Sequence, residues 1–172
     1  MLWQTKTKHK KEYTILISSW LIGIVLLITY IPRNKVKQST VGFLFHQVLT
    51  WLFGLLVVEK GLIKYPVRLF KKAHKTSFTF EYFVFPALSA LFNVRFPEKV
   101  NWFYKAVYYF CYPTIITLLE VYAEKRTKLI EYIKWNSIYS FITMFLSFYV
   151  SRRFYLWFFP QEESDADVDL KC

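Results

Sequence analysis

A long apolar run without a charged residue occupies residues 13–31 of this chain. A helix of about 20 residues crosses the hydrocarbon core of a bilayer, whereas a helix on the surface of a soluble domain is apolar along one face only. Four further apolar blocks follow at residues 40–58, 78–94, 102–122 and 135–159. The sequence therefore predicts an all-α fold: a polytopic transmembrane helical bundle of about five spans, in one domain over residues 1–160.

The composition favours the same class. Hydrophobic residues make up 55% and aromatic residues 22% of the 172 positions, more than a soluble domain of this size needs for its core. The formal net charge is +11, but the basic residues lie in short clusters beside the apolar blocks. Such clusters indicate topology signals and contacts with anionic phospholipid of the lipid bilayer, and no nucleic acid is expected as a partner.

Four lysines precede the first apolar run. A positively charged segment also precedes the apolar region of a secretory signal peptide. It is longer than a typical signal region and ends at Pro32 and Arg33 without a small-residue cleavage site. We therefore expect a retained membrane anchor.

The third and fourth blocks are interrupted by charged residues and prolines: Glu81 and Pro86 in the third, Lys105, Pro113 and Glu120 in the fourth. A re-entrant hairpin is the alternative to two full spans, because the uncharged centres are short. A hairpin would place the charged connection between the two blocks inside the lipid, which is costly. Two full spans are the favoured interpretation.

Lys and Arg residues are more numerous in the N-terminal segment and in the second and fourth loops than in the alternating segments. The positive-inside rule then places the N-terminus in the cytoplasm and, for an odd number of spans, the C-terminus outside. Residues 161–172 are rich in Asp and Glu and predict an exposed, disordered acidic tail.

The second loop, residues 59–77, carries basic residues at helical spacing. They are Lys60, Lys64, Arg68, Lys71, Lys72 and Lys75. With apolar residues on the other side, the pattern predicts a basic amphipathic helix that contacts anionic lipid of the inner leaflet, interrupted at Pro66. An ordinary cytoplasmic loop retained by its positive charge is the commoner alternative.

Glu81, Glu120 and His46 form the candidate intramembrane polar site. If the third and fourth spans pair antiparallel, Glu81 lies level with Glu120, and two carboxylates at one depth could bind a cation or share a proton. The plainer interpretation, which we favour, is that Lys75, Lys125 or Arg126 neutralises them near the inner headgroups. For His46, a proton relay or a metal ligand is the alternative to an interhelical hydrogen bond. No other His lies in a span, so no metal or cofactor is expected.

Three aromatic-rich stretches resemble a known family. They are residues 81–88, residues 108–117 with Glu120, and residues 131–135 leading into Ser151, Arg152 and residues 157–159. They are similar to a family of small uncharacterised integral membrane proteins of Bacillus-type spore-forming Gram-positive bacteria. The resemblance implies a bacterial source and the plasma membrane, and it implies no activity or functional residues.

Motifs of hydrolases, zinc proteases, phosphate-binding loops and redox dithiols do not occur in the sequence, so we expect no enzyme. The expected function is that of a non-enzymatic integral membrane protein: a scaffold, a partner subunit or a lipid-contacting component, with a protein partner or as a homo-oligomer. The alternative is a small transporter or channel subunit that moves a cation or proton. The orientation of Glu81 and Glu120, toward a polar cavity or toward the headgroups, decides between the two.

Overall fold

The computed structural model describes residues 9–70 and 75–160. The described residues contain five α-helices: α1 (Lys10–Tyr30), α2 (Val36–Glu59), α3 (Phe85–Val94), α4 (Trp102–Arg126) and α5 (Ser137–Phe158). A 3-10 turn (Arg33–Lys35) precedes α2, and a π-helix (Phe80–Val84) leads directly into α3. Two short strands, β1 (Ile63–Lys64) and β2 (Glu131–Tyr132), pair antiparallel. The all-α class is confirmed, and the predicted tail at residues 161–172 lies outside the described residues.

Each predicted apolar block coincides with a helix, but only some of these helices have the character of a membrane span. Among the described residues, three segments are long and apolar enough to cross a bilayer: Lys10–Tyr30, Arg33–Glu59 and Trp102–Arg126. The segment Phe80–Val94 is apolar but shorter. Helix α5 has 22 residues, but Arg152, Arg153 and several hydroxyl side chains lower its hydropathy. The prediction of about five spans is therefore not confirmed.

Helix α1 shows how local sequence sets a helix boundary. Its last residue is Tyr30, and the next residue, Ile31, adopts an extended conformation with φ −92° and ψ 116°. Pro32 explains this boundary, because the proline ring disfavours the helical conformation of the preceding residue. The helix exposes apolar side chains such as Leu21 and Ile28, as expected of a surface that lipid covers.

The helices pack in pairs other than the predicted pair of the third and fourth apolar blocks. Helix α3 and the π-helix pack mainly against α2, and α4 packs mainly against α5. Helix α3 reaches α4 through aromatic rings: the Phe92 ring centroid lies 5.2 Å from that of Tyr108 and 5.2 Å from that of Phe148 on α5. The antiparallel pair of the third and fourth apolar blocks is therefore replaced by two pairs, α2 with α3 and α4 with α5.

The second loop is not helical in its described part, so the prediction of an amphipathic helix is wrong there. Gly61, with φ +64°, follows α2, a conformation that glycine adopts without steric cost. Strand β1 then pairs with β2, with Ile63 opposite Tyr132, and the Val67 amide donates to the Lys128 carbonyl at 3.0 Å. The backbone of this loop thus bonds to the α4–α5 connection rather than to itself.

The basic side chains of this loop have different environments. Lys60 and Lys64 are exposed. Arg68 donates to the Tyr65 carbonyl at 2.6 Å, and Lys75 pairs with Glu59 at 2.9 Å. The other two predicted lipid contacts, Lys71 and Lys72, lie outside the described residues.

Candidate functional site

A partly open cavity of about 560 Å³ lies between the helices and is lined by residues of all five. Its walls are largely apolar, with Leu49, Leu88, Ile116 and Met144 among the lining residues. The polar lining residues include Glu81 and Glu120, together with Thr50, Tyr65, Trp135 and Ser140. The volume falls within the range of about 300 to 1,000 Å³ that is typical of small-molecule sites.

Glu81 lies on the π-helix, and the backbone there is irregular for an identifiable reason. The Phe85 amide donates to the carbonyl of Phe80, five residues earlier. The next residue, Pro86, has no N–H, so the Glu81 carbonyl receives no such bond. It accepts the Thr50 hydroxyl of α2 instead, at 2.7 Å. Single π-turns of this kind occur frequently at functional sites.

The Glu81 side chain is 3% exposed and faces the cavity. The Thr76 hydroxyl, the Ser77 amide and the Tyr65 hydroxyl lie around its carboxylate. Nevertheless, neither carboxylate oxygen forms a hydrogen bond of acceptable geometry with the described residues. A buried carboxylate whose neighbouring donors complete no hydrogen bond favours a bound proton or cation, because desolvation of the charge alone is unfavourable.

Gly54 of α2 leaves the space that the Glu81 carboxylate occupies. A Cβ atom at this position would collide with the carboxylate carbon and with both of its oxygens. The position of the Glu81 carboxylate therefore depends on a residue without a side chain at position 54. Gly54 thus positions Glu81 at the cavity wall.

Glu120, on α4, is held by α5. The Ser140 hydroxyl donates to Glu120 Oε1 at 3.0 Å, while Oε2 has no hydrogen-bond partner among the described residues. Ser140 itself accepts the indole N–H of Trp135 at 2.8 Å, and its hydroxyl lies 3.1 Å from that of Tyr132. This network leaves one carboxylate oxygen available to a ligand.

Two tyrosines connect the strands with the carboxylates. Burial, followed by the nearby charge of Glu81 and then that of Glu120, raises the pKa of Tyr65 well above its ordinary value. Burial, followed by the charge of Glu120, also raises the pKa of Tyr132. Tyr65 therefore lies near both carboxylates, and the hydroxyls of Tyr65 and Tyr132 remain protonated donors at neutral pH.

The expected neutralisation of the two carboxylates by basic residues is wrong for the described residues. No Lys or Arg there forms an ion pair with Glu81 or Glu120, and Lys75 pairs with Glu59 instead. The expectation assumed that both side chains point toward the headgroups. Both line the same cavity instead.

His46 is not part of this site. Its side chain is 0% exposed and packs edge-on against Phe148, with ring centroids 5.2 Å apart. Neither ring nitrogen has a hydrogen-bond partner among the described residues, so the expected interhelical hydrogen bond is not formed. His46 does not line the cavity, and the described part of the chain contains no group of three or more His, Cys, Asp or Glu side chains placed for a metal ion.

Sequence reasoning missed several residues of the site. Tyr65, Thr50, Gly54 and Ser140 were not singled out. One signal could have found two of them. The buried residues of α2 are mostly small or polar and recur every three or four positions, at Ser39, Gly42, His46, Thr50, Gly54 and Val57. Small residues on one helix face are typical of close helix packing in membranes.

Comparisons with protein-family models, with curated proteins and with solved structures gave no match for this chain.

Proposed function

We propose that this protein is a non-enzymatic integral membrane protein that acts as a small transporter or channel subunit for a cation or proton. One observation supports this function over a scaffold: Glu81 and Glu120 face one interior cavity, and no Lys or Arg of the described residues pairs with either. Ionisable groups inside a membrane protein are costly and commonly mark transport paths.

The site has separate parts for this task. Glu81 receives the cation or proton, since both of its oxygens lack hydrogen bonds. Tyr65 lies beside Glu81 and lines the same cavity as Glu120, where its hydroxyl is a further donor. Glu81 also lies on a π-turn, a feature that is frequent at functional sites.

We further propose that all five helices cross the plasma membrane of a Bacillus-type bacterium, with the N-terminus in the cytoplasm. Helix α3 is short, but eight of its ten residues are buried in protein, so lipid need not cover it. Arg152 of α5 is likewise only 2% exposed, so its side chain is buried in protein and need not contact lipid. The exposed Lys60 and Lys64 then face anionic phospholipid of the inner leaflet.

The test is transport by the purified protein in liposomes under an inside-negative potential. Internal pH is followed with a trapped pH-sensitive dye, and uptake of radiolabelled guanidinium reports a small organic cation. We expect the wild type to accelerate at least one process and Glu81→Gln to abolish the acceleration. Glu59→Gln is the matched control, because Glu59 is exposed and pairs with Lys75 outside the cavity.

Rates equal to those of protein-free liposomes in both assays would contradict the transport function. Equal rates for wild type and Glu81→Gln would remove Glu81 from the path.

A second candidate function is that of a partner subunit. Helix α4 exposes an aromatic face around a shallow groove, with Trp102 78%, Phe103 58% and Phe110 51% exposed. Because five spans are few for an alternating-access carrier, a transporter of this size requires a second subunit, and this face is available to it. Both functions are compatible with a homo-oligomer.

A further inference from the structure

We propose that the cavity binds an organic cation with a bulky apolar body, such as a lipophilic amine, and not a bare metal ion. This inference rests on the proposed function, because it names the class of cation that Glu81 and Glu120 receive. The argument depends on what lines the cavity and on which polar atoms remain without partners.

A bare metal ion does not fit the donor set. Calcium takes six to eight oxygen ligands, and magnesium requires an octahedral shell. The two carboxylates offer only three oxygens without hydrogen-bond partners in the described structure, because Ser140 engages one oxygen of Glu120. The remaining wall is mainly hydrocarbon, which cannot replace the hydration shell of an ion.

An ammonium group fits the polar end of the cavity. It carries up to three N–H donors and has no acceptor. Both oxygens of Glu81 and Oε2 of Glu120 are acceptors without hydrogen-bond partners in the described structure. Bonds between an ammonium and a carboxylate are charge-assisted and are among the stronger hydrogen bonds.

Aromatic rings at this end add a second attraction for a cation. Phe53, Tyr65 and Trp135 all line the cavity. The ring centroids of Phe53 and Trp135 lie 6.3 Å apart in an edge-on arrangement. The face of an aromatic ring attracts a cation within about 6 Å of its centroid. Carboxylates and rings together therefore recognise an organic cation better than either feature alone.

The rest of the cavity fits an apolar body. Leu49, Val84, Leu88 and Ile116 contribute hydrocarbon walls, and Met144 contributes a flexible thioether that adapts to different shapes. The volume of about 560 Å³ exceeds what an ammonium ion alone would fill. A ligand with both an ammonium and a compact hydrocarbon body satisfies the two ends of the cavity together.

The test compares two probes of the same shape, 1-aminoadamantane and 1-adamantanol, which differ in the ammonium and hydroxyl groups. Binding to wild-type protein in neutral-lipid nanodiscs is measured by equilibrium dialysis, and empty nanodiscs correct for partition into lipid. We expect saturable binding of the amine to one site, at least about tenfold tighter than binding of the alcohol, as a charge-assisted bond predicts. Glu81→Gln should remove this preference, and Glu59→Gln should preserve it.

The comparison of the two probes in the wild type needs no variant, so it remains decisive if Glu81→Gln does not fold. Equal affinities for the amine and the alcohol, or no saturable binding of either, would overturn the ligand class. Displacement of the amine by millimolar calcium but not by excess adamantanol would instead assign the site to a metal ion.

The result of the binding experiment can be distinguished from the result of the transport assay, because either prediction can fail without the other. Glu81-dependent movement of protons or guanidinium without a preference for the amine contradicts only the ligand class. Preferential binding of the amine without any Glu81-dependent transport contradicts only the transport function.

Discussion

Gly54 and Glu81 illustrate how one residue positions another across a helix interface. The Glu81 carboxylate occupies the space beside Gly54 where other residues have a Cβ atom. The carboxylate is the far end of a flexible side chain, so a methyl group would displace it without moving the backbone. A substitution here should therefore change the site more than the stability of the fold.

We predict that Gly54→Ala lowers Glu81-dependent transport and the preference for the amine probe. The free energy of unfolding should stay within about 1 kcal/mol of the wild type, because alanine also favours the helix by about that amount. Gly42→Ala on the same helix is the matched control, since its Cβ would only touch the Tyr155 ring at 3.6 Å. Transport assays and chemical unfolding in detergent measure the two effects. Equal transport by both variants would show that Gly54 does not position Glu81.

At the scale of elements, a buried polar seam joins α3 to α5. The Ser89 and Ser151 hydroxyls lie 2.8 Å apart, and the Asn93 amide donates to Ser151 at 3.0 Å. Arg152 donates to the Asn93 carbonyl at 3.0 Å and pairs with Glu98 in the α3–α4 connection. Its guanidinium also lies 4.2 Å from the centroid of the Phe96 ring. This seam orients the short helix α3 and therefore the π-helix before it.

We predict that Arg152→Lys destabilises the protein by about 1 to 3 kcal/mol, because a lysine cannot stack on Phe96 while bonding both Asn93 and Glu98. Arg153→Lys, at the exposed neighbouring position, should change stability by less than about 0.5 kcal/mol. Unfolding of both variants in the same detergent provides the measurement. If the two substitutions cost the same, the seam contributes no specific stabilisation.

At the scale of the whole molecule, the number of spans decides which loops face the cytoplasm. With the N-terminus in the cytoplasm, as proposed above, five spans would place the connection between α3 and α4 outside. If only the three segments with clear spanning character cross the bilayer, this connection would stay inside. The same orientation would place the C-terminus outside in both arrangements, because both numbers of spans are odd. Cys172 therefore reports the orientation, and a probe in the α3–α4 connection reports the number of spans.

We predict that Lys99→Cys, with Cys111 and Cys172 replaced by Ser, reacts with a membrane-impermeant maleimide in intact cells. Lys99 is exposed, so its accessibility depends on the side of the membrane alone. Cys172 in the Cys111→Ser background should react under the same conditions. Labelling of position 99 only after permeabilisation, with Cys172 reactive in intact cells, would favour three spans.

The positions of the helices were predictable because they depend on local features. Uncharged apolar runs predicted five helices, and Pro32 marked the end of the first. The two carboxylates could also be singled out as candidate site residues, since charged residues in apolar blocks are rare and visible. The helical pattern of basic residues in the second loop failed, because Gly61 and the pairing of β1 with β2 override it.

The sequence by itself determined the all-α class, the helix positions and the presence of Glu81 and Glu120, since chain hydropathy and proline geometry act over a few residues. Only the tertiary structure decided which helices pair, and therefore that both carboxylates face a cavity rather than lysines at the headgroups. Those facts depend on contacts between residues far apart in the chain, such as Gly54 with Glu81 and Ser140 with Glu120. The sequence pattern within one helix does not specify such contacts, because close packing depends on the shapes of both surfaces that meet.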